Sequence, residues 1–395
     1  MLSRVENLEP TPREARIYPA RLRDARLLAR LRSTEAATQL GMTKVQYSRL
    51  EGALGVTSTT PEMLTKISKL FGFDTQYFSS FPDSNALSGG LHFRAQRSMT
   101  KFDEEIIEAW ARFVSELVSA TYVSVRPLSH EIPAFESTMR PAQAADETRR
   151  LLGLDVDEPV PHMIRVLERA GVPVARAPFD GAGAAKHDAV SLWTGERSDR
   201  PIVLLRDITS WERTRMSAAH ELGHLVLHRW VVAESAEEEA FDFASAFLMP
   251  ARGFRRGWPS RVTLTSLLPL KRKWGVSLAA LIERGFRLGL LSAPARTGLY
   301  KQLSARRNAD TGTTWRVEEP GSREREPEAP WLLGKMLETS LGDEPTPESV
   351  RAFSVAWPDS VLQPVLAGQR RPRGARPPTP PSNDGPASNV TPLFG

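Results

Sequence analysis

The segment His220-Glu221-Leu222-Gly223-His224 sets two imidazoles four positions apart, with a carboxylate beside the first. On an α-helix, residues four apart share a face, so His220 and His224 can hold one metal ion. Glu221 can reach the water at that metal without being a ligand itself. These residue types suit hydrolysis of a peptide bond. The metal lowers the pKa of its water to about 7 and polarises the carbonyl, and Glu221 acts as general base. Ala218, Ala219, Leu222, Leu225 and Val226 flank the pair with apolar positions, as a buried helix requires.

A third ligand is needed. His228 lies eight residues beyond His220, about 12 Å along a helix axis at 1.5 Å per residue, too far for one ion with bonds of about 2 Å. The chain has no cysteine, so the ligand must be another imidazole or a carboxylate. The next helical segment begins Glu237-Glu238-Glu239. Glu237 and Glu238 read as its solvated start, where carboxylates suit the helix dipole. Glu239 shares a face with Asp242 and Phe243 and is the first candidate, with Asp242 the alternative. Two imidazoles and a carboxylate accept zinc, and manganese equally.

These residues need elements to position them. Trp211 to Arg229 and about Ala236 to Met249 read as the two site helices. Val172 to Arg176, Ala189 to Trp193 and Pro201 to Leu205 read as short strands. Pro161 to Ala170, Thr263 to Trp274 and Ser277 to Leu288 read as further helices. Upstream, Phe102, Ile106, Trp110, Phe113 and Leu117 mark an amphipathic helix, either an interface between copies or a surface for docking within the chain.

The first 82 residues have a different texture. Leu22, Ala25, Leu28 and Ala29 fall at helical spacing between Arg21 and Arg32. Ser33 or Thr34 can cap a second helix that ends at Leu40 and Gly41, and Thr43 can cap a third with Tyr47 and Leu50 inward. Pro61 opens a fourth. From Arg21 to Arg49 there are seven basic residues against Asp24 and Glu35, the charge balance of a surface facing phosphates. In a helix-turn-helix the second helix enters the major groove, which makes Lys44, Val45 and Arg49 candidates for base edges and Thr43 and Gln46 for phosphate or edge contacts.

With 395 residues, 41% hydrophobic and 25% charged, the chain has room for two or three ordinary globular domains. No apolar run reaches the roughly 18 residues of a membrane span, and the N-terminal segment lacks the apolar stretch of a signal peptide. A cytoplasmic location, without a membrane partner, is the expectation. The expected organisation is an N-terminal arm (1–16), a helix-turn-helix domain (17–82), a linker with its connecting helix (83–138), a metal-site domain (139–320), a helical extension (321–366) and a Pro/Arg-rich disordered tail (367–395).

Arg213 to His228, Glu239-Ala240 leading to Phe243–Pro250, Leu270 to Leu281, and Trp315-Arg316 to Glu319-Pro320 together resemble the ImmA/IrrE family of metallo-endopeptidases. Leu167 to Val172 and Ser191-Leu192-Trp193 fit the same family's sheet region, so the resemblance covers roughly Ala142 to Pro320. It implies an α+β zincin-like domain, His220, His224 and Glu239 as ligands, and Glu221 as base. Phe241 departs from the Asn or Asp usual after the Glu-Ala pair, which implies either altered support around the ligands or a shifted register in which Asp242 matters. Residues 20–78, with Glu35 to Glu51 as signature, resemble the all-α XRE/Cro type of helix-turn-helix. There Ser33 replaces a common Gln, implying the loss of one backbone-positioning contact.

The two resemblances imply a site-specific metallo-endopeptidase with a DNA-binding domain, cleaving a transcriptional repressor in a stress or mobile-element response. Modules of this kind act on paired half-sites, so a homodimer is one candidate arrangement. The alternative is a DNA-binding transcriptional regulator, an autorepressor or antitoxin-like protein, whose metallopeptidase-like domain is a sensor or scaffold.

Overall fold

The computed structural model describes residues 14–82, 100–126, 128–135, 138–178, 188–195, 197–207, 210–229 and 234–370. Most of the N-terminal arm, residues 83–99 of the expected linker and the tail beyond residue 370 lie outside the described residues, whereas the expected tail's first residues, 367 and 368, end the last helix.

The N-terminal unit contains α1 (Pro19–Leu28), α2 (Ser33–Gln39), α3 (Lys44–Glu51), α4 (Pro61–Phe71) and α5 (Thr75–Ser79). Pro19 and Pro61 open their helices with a φ already suited to the first turn. Gly41 takes φ +68° between α2 and α3, a conformation open to glycine without strain. Thr43 caps α3 in a reciprocal box with Gln46. The cap of α2 falls on Arg32, one residue before the expected position, because the Glu35 carboxylate turns back to accept from the Arg32 N–H. Two strands join the helices: β1 (Ala15–Ile17) pairs antiparallel with β2 (Thr57–Thr59). The end of the expected arm is thus part of the folded unit.

A long helix follows, α6 (Lys101–Thr121), then α7 (Pro141–Leu151) and α8 (Met163–Arg169). The sheet contains β3 (Val174–Arg176), β4 (Ala189–Thr194) and β5 (Arg200–Leu205) in the order β3-β5-β4. Strand β5 is central, parallel to β3 and antiparallel to β4. Next come the site helices α9 (Trp211–Leu227) and α10 (Ala236–Leu248). The short α11 (Ala251–Arg256) leads to α12 (Leu264–Trp274), α13 (Leu278–Arg287) and α14 (Ala293–Ala305). The chain then returns through α15 (Leu332–Leu341), α16 (Pro347–Phe353) and α17 (Asp359–Gly368).

Alternation along the strands divides the interior into two cores. Val203 and Leu205 of β5 face α8, α9 and α10, whereas Ile202 and Leu204 face the opposite way. That second face packs into one apolar cluster with α6, the helix-turn-helix and α15 to α17. Trp357, 1% exposed, lies at its centre, its ring 4.6 Å from Phe113, 4.9 Å from Tyr77 and 6.3 Å from Phe73. Ion pairs Arg21–Glu116, Arg23–Glu105 and Asp24–Arg112 add polar contacts between α1 and α6. Helix α6 therefore docks within the chain, with Ile106, Trp110, Phe113 and Leu117 all buried.

Candidate metal centre and nucleic-acid interface

Helix α9 is held at its first turns by buried charges. Lys271, 1% exposed, sits between Glu212 of α9 and Glu319, and the Glu319 carboxylate also accepts from the Leu278 N–H. One turn on, Arg215 donates to the carbonyls of Gly275 and Val160 and pairs with Glu328. Glu328 is desolvated, yet its hydrogen bond with His162 and the Arg215 charge hold its carboxyl below the ordinary range. These paired charges satisfy each other away from water and fix the rotation of α9.

That rotation turns His220 and His224 toward α10. Their Nε2 atoms lie 3.0 Å apart. The carboxylate that meets them is that of Glu237, with Oε2 3.4 Å from His220 Nε2 and Oε1 3.2 Å from His224 Nε2. Although burial disfavours its charge, the two imidazoles hold the Glu237 carboxyl far below the usual carboxylate range. Among the described residues these three form a cluster with one donor atom each, all within 4.8 Å of one another. Two nitrogens and an oxygen at such separations fit one divalent metal with bonds of about 2 Å and an open position beside it.

The close crossing of α9 and α10 explains how Glu237 reaches the pair. A Cβ at Gly223 would stand 3.2 Å from the Ala240 backbone and 3.1 Å from the Phe243 ring. Gly223 thus lets α10 approach, and Ala240 sits one turn beyond Glu237 on the same side. Glu239, the sequence-based candidate, instead meets His228: Oε2 lies 3.2 Å from His228 Nε2. Asp242, the alternative, pairs with Arg287. Three consecutive glutamates offered no periodicity by which to choose. Helix-dipole reasoning puts Glu237 at a solvated helix start, and its partners lie across a helix crossing that the local pattern does not encode.

Glu221 is 5% exposed, and the Ser191 hydroxyl donates to its Oε2 at 2.7 Å. Ser191 stands on β4, so the sheet itself orients the expected base. Nothing in the sequence pattern marked Ser191 for this task, beyond its place in a strand ahead of the motif. Phe241 is 53% exposed, and its ring centroid lies 4.3 Å from that of His220. The His220 Nδ1 is buried without a hydrogen-bond partner among the described residues.

In the N-terminal unit, Lys44, Val45 and Arg49 are exposed along α3 while Tyr47 is buried. Thr43 and Gln46 are exposed too, but bonded to each other through the capping box. The Tyr47 hydroxyl and the Arg26 guanidinium both meet Glu51, which pins the inner side of α3 and leaves its outer side turned to solvent.

The two sites and their folds define the class: a helix-turn-helix protein with a domain of metallopeptidase type behind it. Residues 167–285 match the family model of the IrrE N-terminal-like domain of peptidase family M78. Residues 22–78 match that of a helix-turn-helix. The chain therefore carries an XRE-type DNA-binding domain followed by an IrrE/ImmA-like M78 domain. No curated protein matches it.

Proposed function

We propose that the protein is a metal-dependent, site-specific endopeptidase that works from DNA. The observation that carries this reading is the meeting of His220, His224 and Glu237 beside a buried, hydrogen-bonded Glu221. A divalent metal bound there, zinc or manganese, supplies Lewis acidity toward the scissile carbonyl and acidifies water. Glu221 accepts the proton of the attacking water and delivers it to the leaving amine, and Ser191 keeps its carboxylate aimed during both transfers. Burial strengthens these charge interactions.

Within this reading, Lys44, Val45 and Arg49 contact base edges, Thr43 and Gln46 contact phosphates, and a homodimer spans two half-sites. A protease localised at an operator has a substrate class implied by its place, a protein bound to the same DNA. A transcriptional repressor in a stress or mobile-element response fits that class, with the cytoplasm as the setting. No helix among the described residues is long and apolar enough to cross a membrane.

The test pairs metal content with cleavage. Wild type, Glu221→Gln and Glu237→Ala proteins are analysed for bound metal and then incubated with an extract of the producing cells, and new N-termini are mapped. One metal per chain in wild type and Glu221→Gln, with a few cuts in DNA-binding proteins by wild type alone, is the expected result. Indiscriminate digestion, or a metal-free wild type after reconstitution, overturns it. One observation favours a second reading, a DNA-binding regulator with the metal domain as sensor or scaffold. Among the described residues His220 Nδ1 has no hydrogen-bond partner, where ligand histidines almost always donate, and the Phe241 ring lies against this imidazole. Operator occupancy unchanged in Glu221→Gln cells, with no cleaved protein, would establish that alternative.

A further inference from the structure

His228 is 5% exposed and is not needed for the three-donor cluster. It caps the C-terminus of α9 with φ −117° and ψ 20°, so its ring leaves the helical path and turns back toward His224. The His224 Nδ1 lies 3.1 Å from the His228 Nδ1. The His228 Nε2 lies 3.2 Å from Glu239 Oε2, and the Ser235 hydroxyl donates to the other Glu239 oxygen. We propose that His228 and Glu239 form a positioning relay, which fixes the tautomer of His224 and aims its Nε2 at the metal position. This rests on the metal-site reading above.

With a metal held at His224 Nε2, the donor and acceptor roles along the series follow. The His224 Nε2 faces His220 and Glu237, so it must keep a lone pair to bind a metal. The proton of neutral His224 is then on Nδ1 and is donated to His228 Nδ1. Having accepted there, neutral His228 carries its own proton on Nε2 and donates it to Glu239. An ionised carboxylate can only accept, so the series has one direction and ends on a fixed charge. A ligand imidazole that donates outward in this way is a stronger base and is locked in orientation.

The spacing that disqualifies His228 as a ligand makes it the relay. Eight residues from His220 it cannot share the ion, but four residues from His224 its tilted ring brings Nδ1 to the Nδ1 of His224. The two ligands are consequently unequal: His224 is braced through two further residues, whereas the His220 Nδ1 has no partner among the described residues. Glu239, which sequence reasoning assigned to the metal, acts two hydrogen bonds away from it.

Two measurements on the full chain test the relay. Long-range 1H–15N NMR of the metal-free protein reads the tautomers directly. His228 is expected as the Nε2–H form, donating to Glu239, and an Nδ1–H form in wild type overturns the relay whether or not metal binds. Zn2+ affinity by chelator competition should fall about 10- to 100-fold in His228→Leu and Glu239→Ala, with one ion per chain retained. His228→Gln, whose amide oxygen can accept from Nδ1–H, should recover most of the loss. Affinity within twofold of wild type in His228→Leu overturns the relay, as does complete loss of stoichiometric Zn2+ in Glu239→Ala, which would make Glu239 a ligand. Failure of wild type to bind Zn2+ would sink the metal-site reading instead, leaving the tautomer measurement to decide the relay.

Discussion

Replacing Trp357 by alanine should loosen the N-terminal unit although the residue lies far outside it in sequence. The indole is 1% exposed and touches three aromatic rings, from α5, from α6 and from the turn before α5, while the Arg21 guanidinium lies 5.6 Å from its centroid. Truncating a buried tryptophan costs about 3–5 kcal/mol, and loss of the ring pairs places this site toward the upper end. At about 2–4 °C per kcal/mol for a cooperative unit of 150–250 residues, the melting temperature should fall by roughly 8–20 °C. Urea unfolding followed by far-UV circular dichroism gives the free energy, and amide exchange locates it. Protection should drop together in α1, α4, α5 and α6, and Trp357→Phe should restore most of it. A loss under about 1 kcal/mol, or unchanged protection in α1 and α4, would refute a shared core.

Three other substitutions probe the metal domain. Ser191→Ala removes a hydrogen bond to a charged acceptor, about 1.5–3 kcal/mol, and should lower kcat roughly 10- to 100-fold without changing metal content; an unchanged kcat would show that Glu221 needs no such aim. Phe241→Asn offers an acceptor to His220 Nδ1–H and should tighten Zn2+ binding about fivefold, the worth of one hydrogen bond of about 1 kcal/mol; no tightening would mean that the missing contact is not limiting. Glu328 has a folded pKa below its ordinary 4.5, so its stabilising contribution is complete above that value and disappears as pH falls through the depressed one. Urea midpoints of wild type and Glu328→Gln should therefore differ above pH 4.5 and converge in stronger acid, and a constant gap across that range would contradict the assignment.

Local chemistry explains what could be read beforehand. His220 and His224 are one helical turn apart, so their common face follows from spacing alone. Thr43 and Gln46 declare the start of α3 because a hydroxyl and an amide three residues on satisfy each other's backbone donors. The strands were legible through Val203 and Leu205 alternating with Ile202 and Leu204, although the pattern does not reveal that both faces are covered. Strand β1 has only three residues, too few for alternation to register. The choice among Glu237, Glu238 and Glu239 depends on where α10 crosses α9, which Gly223 and Ala240 set by close approach. The role of Trp357 depends on contacts with residues more than 240 positions away, and no local pattern encodes these.

The sheet with a covered back has a geometric consequence on a duplex. Because β5 contributes side chains to both cores, packing runs without a break from the helix-turn-helix to the helices that carry His220, His224 and Glu237. Under the proposed function, a neighbour seated on the same DNA would meet the His220, His224 and Glu237 cluster from a direction set by that packing. B-DNA turns once in about 10–10.5 base pairs. Inserting about five base pairs between the two binding positions would carry the neighbour to the far side of the helix, and inserting about ten would bring it back into line. Under the proposed function, the chain would act as a protractor, selecting a neighbour by its angle around the duplex.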